Sequence, residues 1–128
     1  MTEQVALYLL LGLVLLLFLR KTLLARSIRH YSSSELQEKL RTGTGVILLD
    51  VRSDREWSAR HIRGAVHIPL HELQRRIDEL EKFKGREIVC YCQTGSRSLS
   101  ASIKLRRQGF TTANLRGGMG EWDFQGMR

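Results

Sequence analysis

Fifteen residues without a charge, Val5 to Leu19, stand at the start of this chain and divide it in two. The run is apolar on every helical face, which suits lipid and not the one-sided burial of a core helix. At about 1.5 Å per residue it covers roughly 22 Å, short of a hydrocarbon core of about 30 Å. Thr2 and Gln4 extend it at one end. Arg20 and Lys21 can snorkel at the other, with Thr22, Leu23, Leu24 and Ala25 carrying the helix into the interface. Contact with a lipid bilayer through residues 4–25 is therefore expected. A cleaved signal peptide competes with this reading, but it requires a basic start and small residues before a cut. Here Glu3 precedes the run and Arg20, Lys21, Arg26 and Arg29 follow it, with no clear cleavage site. By the charge rule a single-pass anchor results in the cell inner membrane, N-terminus outside and C-terminal domain cytoplasmic. The expected division is 1–27 as transmembrane anchor and basic juxtamembrane segment, and 28–128 as one folded domain.

The formal charge of +8 resides mostly in that domain. Such a surface suits anionic substrates, anionic lipid or nucleic acid. The aromatics are few and not interleaved with the basic residues, so no nucleic-acid partner is expected. Cys90 and Cys92 lie one residue apart and would leave the same face of a strand, a poor geometry for a disulfide. With no second cluster, a zinc site lacks ligands, and free thiols fit a reducing compartment.

Along the domain, strands alternate with helices. Ile28 to Tyr31 reads as a short edge strand, and Ser32 with Glu35 has capping-box spacing for a helix through about Leu40. Val46 to Leu49 is a continuous apolar run, as a strand buried on both faces requires. Ser53 or Asp54 caps a short helix carrying Glu56 and Trp57, and Ala65 to Ile68 makes a small strand that Pro69 stops. Leu73, Ile77 and Leu80 predict a helix over 70–83. Glu87 to Tyr91 is a second buried strand, followed by a helix over 96–108 whose face of Ser98, Ala101, Ser102 and Leu105 is mostly small. Gly109 ends that helix, Thr112 to Leu115 is a third main strand, and a last short helix surrounds Trp122. This order predicts an α/β fold, a parallel twisted sheet covered by helices on both faces and preceded by one transmembrane helix.

The chemistry concentrates in Cys92-Gln93-Thr94-Gly95-Ser96-Arg97-Ser98, where a buried strand ends and a helix begins. Ligands in open α/β sheets bind at such strand ends. A turn over Gln93 to Ser96 would aim backbone N–H groups inward, and the helix start adds partial positive charge. Arg97 adds a full one. All three favour the thiolate of Cys92 and a bound anion, so these residues describe a nucleophilic cysteine in an anion-binding loop. An inert buried cysteine beside a surface arginine is the alternative.

That loop resembles the active-site loop of rhodanese-like domains. Leu49-Asp50-Val51-Arg52, Glu56-Trp57, His61-Ile62-Arg63-Gly64-Ala65 and Ile68-Pro69 resemble the family's first signature, and Gly109-Phe110, Leu115-Arg116-Gly117-Gly118-Met119 and Trp122 its close. The resemblance covers about 28–126 and implies a rhodanese-like sheet of about five strands. It also implies a sulfurtransferase: Cys92 takes sulfane sulfur from a donor such as thiosulfate, and a thiol or protein acceptor removes it. Gln93, Thr94, Gly95, Ser96 and Arg97 would bind the substrate, with Arg97 orienting the anion, and no metal or organic cofactor is implied. Related phosphatases have five residues between Cys and Arg; the four here favour sulfur over a larger oxyanion.

One position departs from the family: Arg60 stands where Gly is common before His61, which would strain the chain if that backbone were left-handed. Asp50 and Arg52 are read as supporting residues, an ion pair bracing the loops, and Glu56 as structural. His61 is read as a scaffold hydrogen-bonder, Cys90 as packing or a resolving thiol, Trp57 and Trp122 as packing, and His30 and His71 carry no signal. The rival to an enzyme is a membrane-tethered persulfide carrier or recruitment module that serves a protein partner.

Overall fold

A computed structural model describes residues 1–122. The expected end of the folded unit at 128 lies outside the described residues. Helix α1, Thr2–Arg26, is 25 residues long and begins well before the charge-free run. Its Thr2–Leu23 stretch is long and apolar enough to cross a membrane, and its apolar window is not buried among the described residues. At about 1.5 Å per residue those 22 residues reach about 33 Å, longer than the charge-free run alone.

The remainder forms a five-stranded parallel sheet in the order β1-β5-β4-β2-β3. The strands are β1 (Arg29–Tyr31), β2 (Ile47–Asp50), β3 (Val66–His67), β4 (Glu87–Tyr91) and β5 (Thr111–Leu115). The helices are α2 (Ser33–Arg41), α3 (Asp54–Ala59), α4 (Ser96–Arg107) and α5 (Gly118–Glu121). Central β4 pairs with β2 through Leu49↔Cys90 and with β5 through Cys90↔Asn114. The chain leaves β2 outward to β3 but leaves β4 the opposite way to β5, so a crevice opens at the C-terminal end of β4.

Period-two alternation explains why these strands are apolar without a break. Leu49, Ile88, Cys90 and Cys92 face one layer with Ala101 and Leu105 of α4. Leu48, Val89, Tyr91, Ala113 and Leu115 face the other, with Leu36 of α2, Ile62, Met119 and Trp122. Both expected helix starts carry full capping boxes, Ser32 with Glu35 on α2 and Ser53 with Glu56 on α3.

The helix expected over 70–83 is not one helix. Two 3-10 segments, Leu70–Glu72 and Ile77–Phe83, take its place, separated at Arg76 by a backbone of φ −106° and ψ 12°. The reason is in the spacing: Ile77, Leu80 and Phe83 recur every third residue, which aligns them on a three-residue turn. All three still reach the core beside Leu73, so the apolar assignment holds although the helix type does not.

Leu105 is fully buried between α4 and the sheet. Leu105→Ala is expected to lower stability by about 2–5 kcal/mol. Arg107→Ala, on the exposed side, should stay within about 0.5 kcal/mol. Urea unfolding in detergent, followed by tryptophan fluorescence, measures both.

Candidate active site

The site grows from the end of β4. Cys92 follows the strand, is completely buried, and lies on the same face as Cys90. The chain then turns through 93–95 into α4. Gly95 makes that turn with φ 107° and is the N-cap of α4. An L side chain is strained there, and its Cβ would also meet the Leu115 carbonyl and Gly117 nitrogen at 3.6 Å.

What surrounds the sulfur is a set of donors. The Gly95 N–H points at Cys92 Sγ at 3.0 Å, and the Ser98 hydroxyl lies 3.4 Å away. Burial acts to raise the thiol pKa, but the Ser98 hydroxyl and the N–H groups of Ser98, Gly95 and Thr94 outweigh it and hold the thiol below its ordinary value. That balance is physically reasonable, since each hydrogen bond to a charged acceptor contributes about 1.5–3 kcal/mol. Cys90, only two residues away, has no such cradle. Burial pushes its thiol up to about 12, with the Ser102 hydroxyl opposing weakly. The two thiols are thus separated chemically although they share a face.

The cradle is held open from outside. Met119 N–H donates to the Cys92 carbonyl at 2.9 Å and Gly120 N–H to the Gln93 carbonyl at 3.0 Å. With these carbonyls drawn outward, the following amides turn inward. Gly118 permits the contact: its φ is 52°, and a Cβ there would overlap the Cys92 carbonyl oxygen. Below the cradle, Ser98 Oγ lies 2.5 Å from Asn114 Oδ1 and 3.1 Å from the Gly95 carbonyl. One hydroxyl proton thus faces these oxygens and the sulfur. Asn114 Nδ2 in turn donates to the Gly95 carbonyl at 3.3 Å.

Two ion pairs flank the mouth. Arg52 and Asp50 are both buried, with Arg52 Nη2 2.7 Å from Asp50 Oδ2 and 2.6 Å from the Arg60 carbonyl. This clamp ties the end of β2 to the end of α3. Arg97 grips Glu56 with both nitrogens, at 2.7 and 2.9 Å. The Arg97 hydrogen bonds lower the Glu56 carboxyl to about 2 against the effect of partial burial, with Ser53 assisting. A hollow of about 270 Å³ lies beside the mouth, lined by Arg52, Glu56, Ala59, Arg60, Gln93 and Met119.

Several sequence readings meet the geometry directly. Arg60 is extended, with φ −168°, so replacing the usual Gly strains nothing. His61 Nδ1 lies 2.9 Å from the Trp57 carbonyl, a scaffold contact. Trp57 stacks on His61 at 3.6 Å and on His67 at 4.7 Å between ring centroids. Of the loop residues expected to bind substrate, Thr94 and Gly95 bring amides to the sulfur, whereas Gln93 and Ser96 are exposed at the rim. Arg97 is turned to Glu56, a partner that sequence reasoning did not supply. The roles of Asn114 and Gly118 were missed too; an asparagine within a strand otherwise made of threonine and apolar residues was the available signal for Asn114. Among the described residues no group of three or more His, Cys, Asp or Glu side chains is placed to hold a metal ion.

Residues 32–125 match the family model for the rhodanese-like domain. The chain belongs to the rhodanese-like domain family. It is 36% identical over 96 residues to YtwF of Bacillus subtilis, provisionally a sulfurtransferase, covering 75% of this chain and 91% of that one. It is 33% identical over 101 residues to a sulfurtransferase of Allochromatium vinosum, covering 78% and 92%. A crystal structure of a rhodanese-like domain protein from Staphylococcus aureus superposes with TM-score 0.71 at 27% identity, over 77% of this chain and 95% of that chain. At this similarity the rhodanese-like chain is a sulfurtransferase homologue, and its five-stranded parallel fold is the family's.

Two outcomes follow for the rhodanese site. Alkylation by iodoacetamide, read at each cysteine by mass spectrometry, should show Cys92 half-reactive below pH 9.0 and Cys90 unmodified there; Ser98→Ala should move the Cys92 profile upward. Because the folded Glu56 carboxyl is depressed, its stabilising contribution is present above about 4.5 and is lost as pH falls toward about 2. Thermal melts across that window should decline less steeply in Glu56→Gln.

Proposed function

We propose that the domain moves sulfane sulfur from a donor such as thiosulfate to a thiophilic acceptor through a persulfide on Cys92. The observation that carries this reading is the donor-lined, pKa-lowered sulfur at the end of β4. The Cys92 thiolate attacks the outer sulfur of thiosulfate, the S–S bond of the donor breaks, and sulfite leaves with the bonding pair. Cys92 then carries a terminal sulfur that the amides of Thr94 and Gly95 and the Ser98 group stabilise. An acceptor thiolate attacks that sulfur, takes it, and returns Cys92 to its thiolate. This is two-step covalent catalysis.

The other residues take supporting parts. Asp50 and Arg52 brace the strand end behind the loop, and their burial makes the pair unforgiving: losing one partner costs about 3–5 kcal/mol. Gln93 and Ser96 form the rim that a substrate meets. Arg97 supplies positive potential from its Glu56 anchorage and orients an arriving anion. Cys90 acts as packing, since a thiol pushed up to about 12 is a poor nucleophile at neutral pH.

A second reading is favoured by the complete burial of Cys92. A sulfur so enclosed exchanges readily with a partner whose own sulfur is guided to the mouth, and slowly with free donors. The chain would then be a persulfide carrier serving a docked protein. In either case α1 serves as a single-pass anchor, with Arg20, Lys21, Arg26 and Arg29 on the cytoplasmic side.

The test is intact-mass analysis of the full chain after thiosulfate treatment. Wild type and Cys90→Ala are expected to gain the mass of one sulfur atom, and Cys92→Ala to gain none. Failure of a folded wild type to gain sulfur from thiosulfate, together with gain from a persulfidated protein donor, would move the function to the carrier.

A further inference from the structure

Much of the positive charge of the domain lies away from the sulfur. The two arginines nearest the sulfur are each held by a carboxylate, Arg52 by Asp50 and Arg97 by Glu56. A cluster of further cations lies at the other end of the sheet, where the strands begin, while exposed Arg55 on α3 and Arg116 after β5 stand at the reactive end. All five strands are parallel, so their N-terminal ends form one face and Cys92 stands at the opposite one.

That N-terminal face is basic in three places. Arg26 ends α1 and Arg29 begins β1. Lys84 and Arg86 precede β4, and Lys104, Arg106 and Arg107 occupy the last turn of α4. All seven are exposed. The carboxylates at this end are occupied: Glu38 by Arg41, Glu81 by Lys84, and Glu87 by the Tyr31 hydroxyl at 2.6 Å with Lys39 at 4.0 Å. Arg26, Lys104 and Arg107 have no carboxylate partner among the described residues. Between them lies a hollow of about 260 Å³ bordered by Ser27, Arg29, Glu87, Arg106, Thr111 and Thr112.

The same face is where α1 enters the domain, and there is no linker. Ser27 N–H closes the last helical turn on the Leu23 carbonyl at 3.1 Å, and Arg106 Nη1 grips the Ser27 carbonyl at 2.7 Å. Only Ser27 and Ile28 separate α1 from β1. With Thr2–Leu23 long enough to span a hydrocarbon core, Arg26 emerges at headgroup level. Cations of that face that come within about 8–10 Å of a charged surface remain effective at physiological salt.

Resting on the anchor reading, we propose that the N-terminal face of the sheet docks onto anionic lipid headgroups. Docking seats the domain on the bilayer and turns Cys92 to the water side. The five-residue rise of β4 and the step to Cys92 set the sulfur about 17 Å above that face. Each cation brought to an anionic surface strengthens the seat about fivefold.

Hydrogen exchange on the full chain reconstituted into vesicles tests this, comparing phosphatidylcholine alone with phosphatidylcholine containing phosphatidylglycerol. On the anionic vesicles, amides of 84–87 and 104–110 are expected to exchange about threefold slower or more. Amides of 93–97 should not change. The slowing should vanish in high salt and in the double variant Lys104→Gln/Arg107→Gln, whose fold is checked by unchanged exchange over 88–91. Equal exchange on both lipids, with the chain retained on both through an alkaline wash, overturns the docking face and leaves the anchor intact. Loss of the chain from neutral vesicles on that wash overturns the anchor on which the proposal rests. Protection of 93–97 in place of 104–110 overturns the orientation.

Discussion

Two hydrogen bonds that never touch the sulfur set the chemistry of this site. Met119 and Gly120 take the carbonyls of Cys92 and Gln93, and those carbonyls have no other way to face than outward. Each peptide unit is rigid, so fixing a carbonyl on one side fixes the next N–H on the other. The inward amides of the loop are therefore a consequence of α5 packing on its outer surface. That packing exists because residue 118 has no side chain to keep the two backbones apart. The donors are preorganised before any substrate arrives, which is the arrangement that stabilises developing charge without later reorganisation.

The same constraint explains how a completely buried thiol is kept below its ordinary pKa while its neighbour two residues away is pushed up to about 12. Both sit in one apolar layer, and both suffer the loss of water. Only Cys92 lies past the last residue of β4, where the backbone amides are no longer committed to a ladder. Within the strand, the amide groups near Cys90 are used by β2 and β5. Strand pairing silences one cysteine, and its end activates the other.

The alternation of apolar strands with capped helices made the sheet legible from the chain alone, and the small face of α4 was readable as Ser98, Ala101, Ser102 and Leu105, all buried. These are signals of local period and composition, and the tertiary fold agrees with them. What escaped were features decided by distant partners. Whether Ile77, Leu80 and Phe83 wind as α or 3-10 turns on how closely they must stack on the sheet. The Glu56 partner of Arg97 is 41 residues away. Asn114 reads as an ordinary strand residue until α4 brings Ser98 against it. The position of Cys92 was legible because a strand–helix junction is local, and the Asp50–Arg52 pair because its members are two residues apart; the roles of Glu56 and Asn114 were not, because they exist only in three dimensions.

Parallel topology imposes one further separation. In a sheet whose strands all run the same way, whatever enters at the start of the first strand and whatever reacts after the last residue of the central one must lie at opposite ends. Here the apolar helix enters at the start of β1, and the sulfur waits beyond β4. Charge is divided in part along the same line: ion pairs hold Arg52 and Arg97 beside the sulfur, while Arg26, Lys104 and Arg107 at the entry end have no carboxylate partner among the described residues. With a cluster of cations at the entry end, attraction to an anionic surface pulls the domain down by the face that carries no chemistry. The mouth beside Arg60 and Gln93 is then left open to whatever brings or takes the sulfur from water.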